Sequence, residues 1–272
     1  MRKFLICLLI ILIIVSIVYA APTQCCAGNK QICKDGSAPK TYAILIAGPE
    51  DPADQYAETR DKWDERYFEN IIHIEDQLKK MKIPNLIGFR IAYDRNMPKA
   101  SEYHIRKVLN MLQRISRECD TVMFFFKGHA DQSGLHLGTE FTELRTGVKE
   151  EFVSIGAVEL FKFSRITKGR KIFVIDSCGS GAFIETLSGP GAIHPLNTIA
   201  IGSTFGSEGY IPYESTLIHK DYIWRYVDAM KDTCDFKKAH ETVKQGNFID
   251  PGIKGRFFST GNTDTEIRCN CK

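Results

Sequence analysis

Lys171-Ile-Phe-Val-Ile-Asp176-Ser177-Cys178-Gly179-Ser180-Gly181 is the stretch on which the fold turns. Lys171 to Ile175 is a β-branched and aromatic run, the pattern of a strand buried on both faces. It ends in a polar, glycine-rich turn with one cysteine at its mouth. Thr121-Val-Met-Phe-Phe-Phe126 repeats the design, and Lys127-Gly128-His129-Ala130-Asp131 follows it. Reactive groups in parallel α/β sheets collect beyond the carboxyl ends of neighbouring strands. His129 and Cys178 each sit two or three residues past such an end. Adjacent strands lie about 4.8 Å apart, so thiol and imidazole are expected to face each other across one crevice.

Around these two strands the pattern alternates. Tyr42 to Ala47 reads as a strand closed by Gly48-Pro49, and Asp51 to Thr59 as a polar loop. Trp63, Tyr67, Ile71, Ile74, Leu78 and Met81 recur at helical spacing over Trp63 to Met81. Leu86 to Tyr93 is a second strand, and Ser101 caps a helix to Ile115. Ser133 to Gly138 reads as a short hairpin, Val153 to Ile166 as a helix and Leu196 to Ile201 as a fifth strand. Tyr213 to Met230 and Lys237 to Gln245 read as helices. Strands separated by helices of this length imply crossover units: an α/β fold with a mainly parallel sheet and helices on both faces.

The amino end reads as a targeting element. Met1-Arg2-Lys3 is positive, Phe4 to Tyr19 is almost wholly apolar, and Val18-Tyr19-Ala20 offers a small-x-small cleavage site. Residues 1–20 are therefore expected to be a signal peptide or, uncleaved, an N-terminal anchor, the only membrane contact anticipated. Either way the remainder is secreted or extracytoplasmic. Residues 21–40 form a cysteine-rich segment, 41–250 one domain, and 251–272 a tail with Cys269 and Cys271.

The nine cysteines fit an oxidising compartment. Cys25, Cys26 and Cys33 are expected to be tied to Cys269 and Cys271, with Cys119 and Cys234 a further candidate pair; connectivity stays open. A metal knot is disfavoured, because Cys25-Cys26 and Cys269-x-Cys271 are not Cys-x-x-Cys pairs. A net charge of +3 with mixed signs argues against a nucleic-acid partner. No phosphate loop or metal-ligand spacing stands out, so no cofactor or metal is expected.

A cysteine becomes a nucleophile when its thiolate is populated, which a neighbouring imidazole or a helix amino end can do. The turns at Gly128, Ala130 and Cys178 offer backbone N–H groups for the oxyanion of an acyl-transfer intermediate. A lone strand-end cysteine is ordinarily a small buried hydrophobe. The conjunction of two buried strands, each released by a Gly-containing turn with one reactive side chain, favours chemistry. A serine-hydrolase elbow fits less well, since it wants glycine two before and two after the nucleophile, where this chain has Asp176 and Ser180.

Phe-Phe-Lys-Gly128-His129 after one strand and Asp176-Ser-Cys178-Gly-Ser180-Gly181 after the next resemble the caspase-like cysteine peptidases. The nearest branches are the legumains (asparaginyl endopeptidases), the glycosylphosphatidylinositol transamidase subunit and the metacaspases. The likeness runs from about Thr41 to about Met230 and includes Ile83-Pro84 before a strand ending Tyr93-Asp94. It implies a flavodoxin-like strand order, a Cys178–His129 dyad with no essential third acid, no cofactor and a polypeptide substrate. Ala130 departs from the family's Gly-His-Gly. The resemblance also implies that Asp176 lines the primary specificity pocket, joined by Arg66 (or Arg60), Asp221, Ser203 and Ser207. With Arg66 against Asp176, cleavage after asparagine is expected; without it, after a basic residue. The rival readings are a transamidase or ligase on the same dyad and an inactive peptide-binding module.

Overall fold

The computed structural model describes residues 32–48, 57–83, 85–92, 102–131, 134–144, 147–187, 196–204, 222–245, 255–260 and 263–267. The centre is a six-stranded sheet of order β2-β1-β3-β7-β8-β9. Its strands are β1 (Thr41–Ala47), β2 (Leu86–Ala92), β3 (Thr121–Lys127), β7 (Arg170–Asp176), β8 (Thr198–Gly202) and β9 (Arg256–Ser259). All neighbours are parallel except β9, which runs antiparallel to β8. Every residue of β1, β3, β7 and β8 is buried, which is why these strands read as unbroken apolar runs.

Alternate residues of each strand feed two separate cores. Leu45, Phe125, Val174 and Ile201 pack with Tyr67, Ile71, Ile74 and Leu78 of α1 (Ala57–Lys80) and with α5 (Tyr222–Thr233) and α6 (Phe236–Gln245). Ile44, Phe124, Phe126, Phe173 and Ile175 pack with α2 (Glu102–Ile115), α3 (Ala157–Ile166) and the short α4 (Ser180–Glu185). Phe161 stands edge-on to Phe173 at 5.1 Å and to Phe183 at 5.4 Å. Each such aromatic pair adds about 0.5–1.5 kcal/mol beyond the area it buries.

A second sheet, β4 (Ala130–Asp131), β5 (Gly134–Leu144) and β6 (Gly147–Ile155), grows out of the turn after β3. The short hairpin expected at Ser133 to Gly138 is thus a long ribbon. Val153 to Ile155 belongs to it rather than to the following helix, because Ile155 pairs with Leu135 and both are fully buried. Pairing outweighs local apolar spacing there. α1 begins at Ala57, inside the stretch read as loop. β9 lies beyond the expected domain end at residue 250, and Ile267 is buried in the α1/α5 core, so part of the carboxyl-terminal stretch completes the fold.

Cys33 is bonded to Cys119, which corrects the expected Cys119–Cys234 and terminus-to-terminus pairing for these two. The reason is register. Thr41 and Thr121 are partners at the start of β1 and β3, so the segments entering those strands run side by side. Asp120 secures the same corner through the N–H of Lys40 at 2.8 Å and the guanidinium of Arg117 at 2.9 Å. Cys234 is also in a disulfide, with its partner outside the described residues, as are Cys7, Cys25, Cys26, Cys269 and Cys271. Residues 1–31 lie outside them too. Among the described residues no helix is long and apolar enough to cross a membrane.

Candidate active site

The carboxyl ends of β3 and β7 lie side by side. Lys127 is the register partner of Asp176, so His129 and Cys178 each stand two residues beyond the same rung of neighbouring parallel strands. Gly128 N donates to Asp176 O at 3.3 Å and ties the two turns together. Gly128 has little room for a side chain: a Cβ there would lie 3.0 Å from Gly48 Cα and 3.0 Å from the Phe126 ring, so a neighbour would have to give.

His129 is half-buried. Its carbonyl accepts the N–H of His136 at 3.0 Å, and its Nε2 is 3.2 Å from Tyr67 Oη. Ala130 pairs with Leu135 across the antiparallel β4–β5 ladder. Since the bond from His136 to His129 occupies the preceding rung, Ala130 and Leu135 form a non-hydrogen-bonded pair. The Ala130 N–H is therefore turned away from β5. Ala130 has no positive φ, so the alanine in place of the family's glycine is accommodated without strain.

Cys178 retains its thiol and is half-buried. Gly179 follows with φ 63° and ψ 9°, a left-handed conformation that lets the chain turn from β7 into α4. A buried hydroxyl cluster pins this turn from behind. Ser180 Oγ is 3.1 Å from Thr204 Oγ1 and 3.4 Å from Ser203 Oγ, and it accepts the Thr204 N–H at 3.0 Å. Thr204 Oγ1 accepts the N–H of Gly181 at 3.1 Å, and Ser203 Oγ donates to Ser177 O at 3.4 Å.

Asp176 is fully buried, and Lys127, 3% exposed, meets its Oδ2 at 3.0 Å. The same oxygen accepts the N–H of Ile223 in the first turn of α5 at 3.1 Å. Oδ1 has no hydrogen-bond partner among the described residues, and neither has the buried hydroxyl of Ser177. The carboxylate is thus compensated by this chain's own lysine and keeps one acceptor in hand.

The expected pocket residues fare unequally. Ser203 is fully buried behind the Cys178 turn and forms no open wall. Arg66 and Arg60 lie on α1, their side chains outside the described residues. Asp221 and Ser207 fall outside them altogether. Lys127, Tyr67, Thr204 and the α5 N–H escaped the sequence reading. Lys127 carried a signal, as the one charge in an otherwise apolar buried strand facing inward by period two. Among the described residues the only cluster with metal-ligand proximity is Cys33, Cys119 and Asp120, but its two sulfurs are bonded to each other.

No protein-family model matches the sequence, and no curated protein matches it. In fold the chain is similar to the crystal structure of protein GSU0716 from Geobacter sulfurreducens, with a TM-score of 0.50 and 12% identity. That likeness covers 85% of this chain and 98% of the other. Together with the sheet and its helices, it establishes an α/β fold with a mainly parallel six-stranded sheet.

Proposed function

We propose that this chain is a caspase-like cysteine endopeptidase of the legumain-like branch, with Cys178 as nucleophile and His129 as general acid and base. The observation that carries the proposal is the Lys127–Asp176 rung, which starts the His129 and Cys178 turns at the same level on adjacent strands. The strand order, with parallel β2-β1-β3-β7-β8 and an antiparallel edge, supports a caspase-like reading of the sheet.

In the proposed reaction His129 takes the thiol proton and the Cys178 thiolate attacks the peptide carbonyl carbon. The negative oxygen of the tetrahedral intermediate is held by backbone N–H groups, for which Ala130 and Cys178 are the candidates and Gly128 is not, its N–H being engaged by Asp176. Collapse breaks the C–N bond, and the leaving amine receives the proton from His129. Water then hydrolyses the thioester, and His129 returns the proton to sulfur. An amine in place of water would make the same site a transamidase or ligase.

Specificity follows from Asp176. Lys127 balances its charge, so a substrate cation gains little there, while Oδ1, without a partner among the described residues, is the acceptor proposed for a neutral amide. Asparagine before the cut bond is therefore favoured over lysine or arginine. Secretion fits the Cys33–Cys119 bond, since disulfides persist in oxidising compartments.

The test is to treat the protein with iodoacetamide or a peptidyl electrophile and map the adduct. Selective labelling of Cys178 that disappears in His129→Ala supports a dyad. Labelling of Cys178 at the rate of an ordinary thiol, indifferent to His129, rejects it. Peptides differing only at the residue before the cut bond then read the specificity, and equal rates for Asn, Lys, Arg and Ala would remove Asp176 from the pocket.

A further inference from the structure

We propose that Tyr67 is the positioning residue for the His129 imidazole and decides which ring nitrogen moves protons. This inference rests on the Cys178–His129 reading above. Tyr67 is 3% exposed on α1, on the sheet face that also carries the Lys127 and Asp176 side chains. Its Oη lies 3.2 Å from His129 Nε2. The two rings meet edge-on, with centroids 5.9 Å apart and planes at 67°.

Tyr67 is itself held by its surroundings. Lys127 Nζ lies 5.5 Å from its ring centroid, within the range of a cation–π contact. That ammonium is fixed by Asp176, which also takes the Ile223 N–H from α5. Less than two helical turns further along α1, His73 Nε2 meets Asp228 Oδ1 at 2.9 Å and stacks on Trp224 at 3.6 Å, so α1 and α5 are clamped together. The phenol oxygen is thus a fixed point against which the imidazole is set.

The chemical consequence concerns the tautomer. With Nε2 engaged by the phenol, Nδ1 is the nitrogen that takes the Cys178 proton and later delivers it to the leaving amine. To accept at Nδ1, the neutral ring carries its proton on Nε2 and donates it to the Tyr67 oxygen. When the Cys178 proton moves to Nδ1, the ring becomes an imidazolium and the Nε2–H bond becomes charge-assisted, hence stronger. Tyr67 therefore favours the thiolate–imidazolium pair over the neutral pair. It acts through His129 and touches no substrate in this scheme.

Tyr67→Phe keeps the ring, and with it the packing and the Lys127 contact, and removes only the oxygen. The measurement is the pH dependence of Cys178 alkylation by iodoacetamide, with the urea midpoint followed alongside. The expected result is an upward move of the thiolate midpoint by about one pH unit, and about a tenfold slower alkylation on its acid side, in a protein that unfolds at the wild-type midpoint. An unchanged thiolate midpoint in folded Tyr67→Phe, with the acid-side reactivity still lost in His129→Ala, overturns the Tyr67 role and leaves the dyad standing. Acid-side reactivity indifferent to His129→Ala brings down the dyad and this inference with it. Should Tyr67→Phe not fold, the ring nitrogen shifts of His129 in the wild-type protein decide the point. A neutral ring protonated on Nε2 agrees, and one protonated on Nδ1 overturns it.

Discussion

Lys127 Nζ and Asp176 Oδ2 lie 3.0 Å apart in the interior, at the rung from which the His129 and Cys178 turns both depart. Two buried charges give little net stability when paired, because desolvation offsets their attraction, but either one alone is costly. Lys127→Met should therefore destabilise the fold by about 3–5 kcal/mol. Lys127→Met combined with Asp176→Leu should recover most of the loss, short of the bond that Asp176 accepts from Ile223. Urea unfolding of the single and double variants measures both. A double variant no more stable than Lys127→Met would show that the pair is not the unit that matters.

Gly179 makes the turn that presents the thiol. Its φ of 63° is left-handed, yet a Cβ added there would meet nothing within 4 Å. The cost of substitution is thus backbone conformation alone, about 1–2 kcal/mol for alanine. Asparagine visits this region more readily than other side chains, so Gly179→Asn should lie between glycine and alanine in stability and in Cys178 alkylation rate. Denaturant midpoints and labelling rates of the two variants give the order; alanine ranking above asparagine would contradict a left-handed residue 179.

The sheet was legible because four of its strands are buried on both faces and carry unbroken apolar runs. The rung joining Lys127 to Asp176 was not legible, since register is a long-range property that no window of sequence contains. β9 was missed because Arg-Phe-Phe-Ser is too short to show a period. In sequence the β5–β6 ribbon resembles a hairpin followed by a helix because the apolar residues near Val153 suit either, and only the pairing of Ile155 with Leu135 decides. Asp176 and Ser203 were assigned to a pocket by position in the chain. The Ser203 hydroxyl, just past the end of β8, turns inward to Ser177 O instead, and Asp176, the last residue of β7, is met from within by Lys127. Tyr67 was recognised as a helix core residue by its spacing. Its hydroxyl role depends on where α1 crosses the end of β3, which spacing does not give.

Cys33 and Cys119 close a loop with a sequence separation of 86 residues across the entrances to β1 and β3. In the chain-entropy model a loop of that length constrains the unfolded state by about 4–5 kcal/mol. Cys33→Ala with Cys119→Ala should lose stability on that order while leaving Cys178 alkylation unchanged in the folded protein, because the bond lies at the opposite end of the sheet from the turns. A loss below about 1 kcal/mol would mean that the Asp120 contacts to Lys40 and Arg117 hold the corner without it.

Lys171 gives the fold a pH dependence of its own. Lys171 is 4% exposed at the start of β7; its ammonium donates to Thr167 O at 3.1 Å, and burial pulls its pKa down to about 8. In the unfolded chain a lysine titrates near 10.4. Between those values the unfolded state binds more protons than the folded one, so stability rises with pH. The penalty is complete below about pH 8 and is lifted as pH climbs toward the unfolded value. Tyr222 and Tyr226 pull the other way, because burial raises both phenols well above their usual range. Their stability contribution is lost only as pH rises through the unfolded tyrosine value near 10, so the window that isolates Lys171 is pH 8 to 9.5. There the wild type should gain at most about 1.4 kcal/mol per pH unit relative to Lys171→Met. Parallel urea titrations of the two proteins across that window give the slope, and identical slopes would mean that the Lys171 ammonium reaches water in the folded state.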